Sequence, residues 1–147
     1  YGQTYSKVKK MNIGNCKLSN VFGPCSKHKN SVVHSFIKKM LSKKSIEIHS
    51  NGLQKRDFIY VEDVCAILMK ELNKKSHRAE LKINTNKFLS VIHLKKCLDD
   101  ISKKHNKIKY IKTPDGYDDR IYKKPKVKIS KKLRKNLELT YNWYIKS

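Results

Sequence analysis

One arginine in this chain occupies a position that suggests chemistry. Arg56 precedes a short aromatic run at residues 58–61, and Glu62 and Asp63 follow where a helix is predicted to begin. The chain has 31 lysines but only 4 arginines, so an arginine at such a junction calls for a specific explanation. A guanidinium group is planar and offers five donors, which suits a phosphate better than an ammonium group does. Residues 54–64 are therefore predicted to form part of an anion site.

The formal net charge of +23 on 147 residues has two explanations. A strongly basic protein is a candidate for binding nucleic acid. Yet the charge is almost all lysine, extends from Lys7 to Lys146, and accompanies 11 asparagines, a composition that an AT-rich coding sequence also produces. Recognition of phosphates and bases favours arginine and clustered patches. Coding bias is the preferred explanation, and a basic nucleic-acid-binding protein stays open as an alternative.

The remaining composition indicates a single domain of ordinary size with a modest core. No apolar run is long enough to span a membrane. The four cysteines lie far apart, and Cys65 and Cys97 fall on the apolar faces of predicted helices, where reduced, buried thiols are expected. We predict a cytoplasmic location on this basis. No metal site is predicted, because the histidines show no ligand spacing and are expected at the surface: His28, His34, His49, His77, His93 and His105.

Apolar periodicity alternates between two and 3.6 residues, which indicates an α/β pattern with short strands. Strands are predicted at 16–19, 46–48, 58–61, 81–84 and 108–111, and helices at 31–43, 62–73, 91–104 and 137–145. Ser90 is expected to cap the third of these helices. The stripe expected to face the core on the second helix consists of Val64, Ala66, Ile67, Leu68 and Leu72.

Several segments resemble, in order, the C-terminal half of an extended short-chain dehydrogenase/reductase. They are Leu-Ser-Asn-Val-Phe-Gly-Pro at 18–24, Ile-Glu-Ile at 46–48, Gln-Lys-Arg-Asp-Phe-Ile-Tyr-Val-Glu-Asp-Val at 54–64, Lys-Ile-Asn at 82–84, Leu-Ser-Val at 89–91, Asp-Gly-Tyr-Asp-Asp-Arg at 115–120 and Thr-Tyr-Asn-Trp-Tyr at 140–144. Within that superfamily the chain is similar to the NAD-dependent nucleotide-sugar epimerases and dehydratases. The resemblance implies the end of a Rossmann-type sheet followed by a small α/β substrate-binding region, without the N-terminal dinucleotide-binding half.

The resemblance also implies a site for a nucleoside-diphosphate sugar. Arg56 corresponds to the family arginine that holds the diphosphate, and Arg120 to a second arginine that contacts phosphate. Asn20 corresponds to an amide that hydrogen-bonds the nucleotide sugar at the end of a strand. Each side chain has a local alternative, namely a turn closed on its own backbone for Asn20, and ion pairs for the arginines, with Asp57 or Glu62 and with Asp118 or Asp119.

The catalytic tyrosine and lysine of the superfamily have two possible matches here. Tyr1 has the expected local sequence, but the residue four positions later is Tyr5 instead of lysine. Tyr5 and Lys9 have the expected spacing in a poorer local sequence. In the family, the lysine lowers the tyrosine pKa and binds the cofactor ribose, so that the phenolate can move a proton during hydride transfer. Tyr1, Tyr5 and Lys9 are the candidate catalytic residues, and Lys9 is also the candidate for contacting NAD.

The five glycines do not form the glycine-rich turn that brings a backbone close to the cofactor pyrophosphate. We therefore expect a partial chain, with residues 1–30 as a remnant of the dinucleotide-binding domain and 31–147 as the substrate-binding region. NAD is the implied cofactor, its binding by this chain alone is doubtful, and the chain is expected to be inactive alone. A non-catalytic remnant or binding module is the alternative. The family pattern also implies a possible homodimer.

Overall fold

The computed structural model describes residues 2–9, 13–74, 80–113 and 129–147. Within these ranges helices and strands alternate along the chain. The helices are α1 (Gly2–Lys9), α2 (Val32–Leu41), α3 (Val61–Leu72), α4 (Val91–Ser102) and α5 (Lys131–Lys146). The strands are β1 (Asn15–Leu18), β2 (Asn20–Phe22), β3 (Ile46–His49), β4 (Lys55–Tyr60), β5 (Glu80–Ile83), β6 (Phe88–Ser90) and β7 (Ile108–Ile111). No helix in these ranges combines the length and hydropathy needed to cross a membrane.

The strands of the described ranges pair mainly in parallel. β1 lies beside β5, β2 beside β4, and β3 beside β7, all parallel, while β6 is antiparallel on the other edge of β4. A parallel partner needs a long connection, and α2, α3 and α4 lie within the segments that join these pairs. The predicted α/β class is therefore confirmed.

Most of the core lies between helices α2, α4 and α5 and the strands β3 and β4. Buried side chains from these elements form one cluster that includes Phe22, Phe36, Ile37, Met40, Ile46, Ile48, Phe58, Leu94, Leu98, Leu137 and Tyr141. A smaller cluster beneath α3 contains Ile59, Val64, Leu81 and Ile83. Because α2 and β4 both border the large cluster, their positions relative to each other are fixed by packing.

The predicted apolar face of α3 is only partly correct. Val64 is buried, but Ala66 is exposed and Leu72 is 67% exposed. The prediction of a buried thiol at Cys65 is wrong, whereas Cys97 is buried, and that burial raises the pKa of its thiol. The small cluster beneath α3 covers a narrower stripe than the sequence pattern suggested, which accounts for the difference.

Helix α1, two strands and one helix start were not predicted. Strands β2 and β6 contain three residues each, too few for an alternating pattern to emerge. Helix α5 begins at Lys131, earlier than expected, because the Ser130 hydroxyl accepts a hydrogen bond from Leu133 N at 3.2 Å. The predicted cap at Ser90 is present, since Ser90 Oγ accepts from His93 N at 3.4 Å.

The expectation that all histidines lie at the surface is wrong for His34. Its side chain is fully buried between α2 and α5, and His34 Nδ1 lies 3.0 Å from the Tyr144 hydroxyl. That hydroxyl donates to Ser26 O at 3.3 Å, so Nδ1 is the donor toward Tyr144. His34 Nε2 is buried and has no hydrogen-bond partner in the described ranges. Burial, with repulsion from Lys29, Lys38 and His28, lowers the His34 pKa from 6.5 to about 4.

Stability should therefore fall with acidification in a way that depends on His34. The unfolded histidine takes up a proton near its ordinary pKa of 6.5, and the folded one only near 4. The resulting loss begins as the pH falls below 6.5, is complete below about 4, and amounts to about 3 kcal/mol. Urea unfolding across this range should show a shallower decline for His34→Gln than for the unmodified chain. His105→Gln, at a side chain 80% exposed, is the control and should follow the unmodified chain. Identical slopes for His34→Gln and the unmodified chain would contradict the prediction.

Candidate functional site

A cavity of about 440 Å³ opens between the start of α2, strand β3 and the start of β4. It is lined mainly by polar side chains and backbone, with an apolar contribution from the helix and strand residues that face the core. The lining residues are Asn20, Asn30, Ser31, Val32, Ser35, Phe36, Lys39, Glu47, Ile48, His49, Gln54, Arg56 and Val91. Two of the three residues predicted to bind substrate, Asn20 and Arg56, thus lie in one cavity.

Arg56 is held by the central strand of the three-stranded group. It is the second residue of β4, pairs with Leu89 across the antiparallel partner β6, and is half-buried. Its Nη1 donates to Lys55 O at 3.0 Å, which restrains the guanidinium group. A side chain on a paired strand is more precisely placed than one on a loop. The arrangement gives the cavity a fixed cation with several donors.

The neighbouring carboxylate belongs to the opposite side of the strand. Successive residues of a strand point to opposite faces, so Arg56 and Asp57 diverge. The Asp57 carboxylate, 6% exposed, accepts hydrogen bonds from Thr85 N at 2.8 Å, from Asn86 N at 2.9 Å and from the Thr85 hydroxyl. Asp57 therefore supports the turn between β5 and β6.

Asn20 is oriented by the neighbouring strand. Its Nδ2 donates to Asp57 O at 3.0 Å, and β2 and β4 pair with Asn20 opposite Phe58. The amide thus binds a residue far along the chain and does not close a local turn, which was the alternative. One of its two N–H donors is engaged, so Asn20 offers its carbonyl oxygen and its second N–H to a ligand. This oxygen suits a hydroxyl or an N–H donor and would repel a phosphate oxygen.

Several cavity residues were not predicted as individual ligand contacts, and Gln54, which begins the predicted segment 54–64, is the most informative of them. Gln54 is 3% exposed and its Nε2 donates to His49 O at 3.2 Å. Its Oε1, like the Ser31 hydroxyl, is buried without a hydrogen-bond partner in the parts of the chain that are described. Buried polar atoms are nearly always paired in folded proteins. These two oxygen atoms therefore give the cavity wall polar groups that are available to hydrogen-bond a ligand.

An ion pair joins α2 to β3 at the edge of the cavity. Lys39 Nζ lies 2.8 Å from Glu47 Oε2, and the hydrogen bond from Lys39 lowers the pKa of that carboxyl. Both groups are partly exposed, with 27% and 46% of their side-chain surface accessible, so the pair contributes little to stability. The pair balances the two charges where they line the cavity. No spacing signal in the sequence indicated this pair.

The other predicted site residues are only partly within the described ranges. Tyr1 and Arg120 lie outside the described residues. Position 5 falls within α1, and Lys9 ends that helix with an exposed side chain that does not line the cavity. Asp63, at the start of α3, pairs with Lys132 of α5 at 2.8 Å. The catalytic and cofactor roles suggested for Tyr1, Tyr5 and Lys9 stay predictions.

No group of three or more His, Cys, Asp or Glu side chains that could hold a metal ion occurs in the described ranges. The pyrophosphate of NAD requires a glycine-rich turn at the N-terminus of a helix. Helix α3 follows β4 directly and α4 follows β6 directly, without a glycine at either junction. Gly52 sits in a tight turn against Ile48 and Ile92. The described residues therefore lack the glycine-rich turn at a helix start that a dinucleotide pyrophosphate requires, and they do not fit that group.

The parallel strand pairs and the polar cavity with its fixed arginine define an α/β protein suited to an anionic ligand. The chain belongs to the NAD dependent epimerase/dehydratase family, which it matches over residues 1–84. The predicted resemblance is thereby confirmed at the level of the family, and NAD is the cofactor used in that family.

Two curated relatives are the dTDP-D-glucose 4,6-dehydratases of Mus musculus and Homo sapiens. Each is 32% identical to this chain over 104 residues, which make up 71% of this chain and 29% of the relative. The chain thus spans less than a third of the length of these relatives.

Solved structures of the same fold are about twice as long as this chain. The UDP-N-acetylglucosamine 4-epimerase from Methanobrevibacter ruminantium M1, in complex with UDP-N-acetylmuramic acid, superposes with a TM-score of 0.80 and 22% identity, over 98% of this chain and 49% of that one. The UDP-glucuronic acid 4-epimerase from Bacillus cereus, in complex with UDP-glucuronic acid and NAD, gives 0.79 and 22%, over 98% and 48%. These superpositions establish the fold alone, because the sequence identities are low.

Proposed function

We propose that this chain binds a nucleoside-diphosphate sugar in the cavity that contains Arg56, as the substrate-binding part of an NAD-dependent epimerase or dehydratase. The single observation that carries the proposal is the presence of Asn20 and Arg56 in one cavity of about 440 Å³. The two residues are 36 positions apart in sequence, and the pairing of β2 with β4 brings them together.

The chemistry of the cavity supports this class of ligand. Arg56 offers parallel donors to a diphosphate, and Asn20 offers an acceptor to a hydroxyl or to a base N–H group. Gln54 Oε1 and the Ser31 hydroxyl, which have no hydrogen-bond partner among the described residues, supply further polar groups in the same wall. Arg120, whose sequence position resembles that of a second phosphate-contacting arginine, is proposed to complete the site.

The exposure of β1 and of apolar side chains on α3 supports the proposal that the chain is one part of a larger enzyme. All four residues of β1 are exposed, although parallel strands are usually covered on both faces. Leu18 of this strand is 48% exposed, and Met69 and Leu72 of α3 are 58% and 67% exposed. Residues 1–30 are proposed to belong with the dinucleotide-binding domain, and 31–147 to form the substrate region. The family chemistry proposed for the whole enzyme is transient oxidation at a sugar C4 hydroxyl by NAD, followed by epimerisation or dehydration.

Titration calorimetry with UDP-glucose and dTDP-glucose tests the proposed binding. We expect saturable binding of nucleoside-diphosphate sugars, and binding at least about tenfold weaker for UMP, because UMP lacks the second phosphate. Turnover assays with added NAD test whether the isolated chain has activity, and we expect it to bind substrate without converting it. Failure of both diphosphate sugars to bind would refute the proposed function.

A further inference from the structure

One lysine side chain donates three hydrogen bonds to the loop between β2 and α2. Lys38 Nζ donates to Lys27 O at 3.0 Å, to Lys29 O at 2.9 Å and to Asn30 Oδ1 at 3.0 Å. An ammonium group has three donors, so all of them are used on residues 27–30. The lysine lies two turns into α2, a helix that packs in the main core. The loop is thereby tied to a fixed element.

The beginning of the same loop has anchors of its own. Gly23 adopts φ +154 and leaves no space for a Cβ, because Val61 packs against it. Ser26 Oγ donates to Gly23 O at 2.6 Å, and Ser26 O accepts from the Tyr144 hydroxyl at 3.3 Å. Residues 23–26 are thus fixed independently of Lys38. Residues 27–30 are held by the three hydrogen bonds from Lys38, by a hydrogen bond from Lys29 N to Ser26 O at 3.0 Å, and by the Lys27 ammonium group 5.7 Å from the centre of the Trp143 ring.

The held segment continues directly into the cavity wall. Asn30 and Ser31 line the cavity, and the Asn30 side chain is one of the three acceptors of Lys38. Lys38 itself does not line the cavity. A change in the position of residues 27–30 would therefore alter the wall that faces Arg56 without removing any group that contacts a ligand.

We propose that Lys38 is a positioning residue for the nucleotide-sugar site: it preorganises the wall formed by Asn30 and Ser31, and so raises affinity without touching the ligand. This proposal rests on the proposed function of the cavity. Preorganisation raises affinity because the cost of ordering the loop has been met before the ligand arrives. A surface lysine without such a role would not commit all three donors to one loop, because ordering its long side chain has an entropic cost.

The test uses the Lys38→Met variant of the full chain, with UDP as the ligand in titration calorimetry. Methionine keeps much of the length and apolar character of the side chain but cannot donate to the three oxygens. We expect UDP to bind about tenfold more weakly to this variant. In the absence of ligand, hydrogen exchange of the amides of residues 27–31 should be about tenfold faster, while exchange within α4 and α5 is unchanged.

Two further variants separate positioning from loss of charge. Lys96→Met removes one positive charge from an exposed site on α4 and should bind UDP as the unmodified chain does. Lys38→Arg retains a cationic donor and should restore the affinity to within about threefold of the unmodified chain. Unchanged UDP affinity in Lys38→Met, or equal weakening in Lys38→Met and Lys38→Arg, would overturn the role of Lys38 and leave the proposed function intact. Failure of the unmodified chain to bind UDP would overturn the role of Lys38, and failure to bind UDP-glucose and dTDP-glucose as well would overturn the proposed function with it.

Discussion

The Arg56→Met variant is expected to bind UDP-glucose about 100-fold more weakly than the unmodified chain. Hydrogen bonds between a guanidinium group and a diphosphate are charge-assisted and form as parallel pairs, so each contributes more than a neutral bond. Methionine approximates the side-chain volume and removes every donor. Titration calorimetry at low and at physiological salt measures the loss, which should be smaller at high salt, because ions screen the interaction in the unmodified chain.

The geometry of the guanidinium group can be tested separately from its charge with a second variant. Arg56→Lys preserves the charge but replaces a planar fork by a single ammonium group, so its affinity should lie between those of the unmodified chain and the methionine variant. Arg134→Met is the matched control, since Arg134 is half-exposed on α5, faces Asp100 at 3.7 Å and does not line the cavity. Calorimetry showing equal affinity for Arg56→Met and Arg134→Met would exclude Arg56 from the binding site.

The order of short motifs, and not local periodicity, predicts that Asn20 and Arg56 lie close together. Asn20 and Arg56 were assigned together because their surroundings follow the order of one family, and the pairing of β2 with β4 places both in the same cavity. No local pattern connects two residues so far apart in sequence. Their roles toward substrate still await the binding experiments, and Arg120 lies outside the described residues.

Properties that depend on contacts between distant elements were not predictable from sequence. His34 and the exposed histidines look alike in sequence, yet His34 is buried because α5 covers this face of α2 and supplies Tyr144. Cys65 and Cys97 have similar helical spacing, but only Cys97 faces the large core cluster. Lys38 is one of 31 lysines, and nothing in the sequence indicates that its side chain donates hydrogen bonds to the loop between β2 and α2.

The residue next to Arg56 should affect folding instead of binding. Asp57→Ala is expected to lower the free energy of unfolding by about 2 kcal/mol, because it removes a buried carboxylate that accepts three partly buried hydrogen bonds, from two backbone N–H groups and one hydroxyl. These groups belong to Thr85 and Asn86, and Asn86 holds a φ of +56, which the hydrogen bonds to Asp57 help to maintain. Asp57→Asn keeps one acceptor oxygen and should lose less.

Urea unfolding monitored by circular dichroism measures this effect, with Asp100→Ala as the control at a carboxylate that is 48% exposed on α4. Asn20 binds the backbone oxygen of Asp57, not its carboxylate, so the cavity keeps this contact in the folded fraction of either variant. Under conditions where Asp57→Asn stays folded, its affinity for UDP-glucose should therefore match that of the unmodified chain. An Asp57→Ala midpoint equal to that of Asp100→Ala would show that the turn between β5 and β6 does not depend on this carboxylate. A large loss of affinity in folded Asp57→Asn would show instead that the two faces of β4 do not act separately.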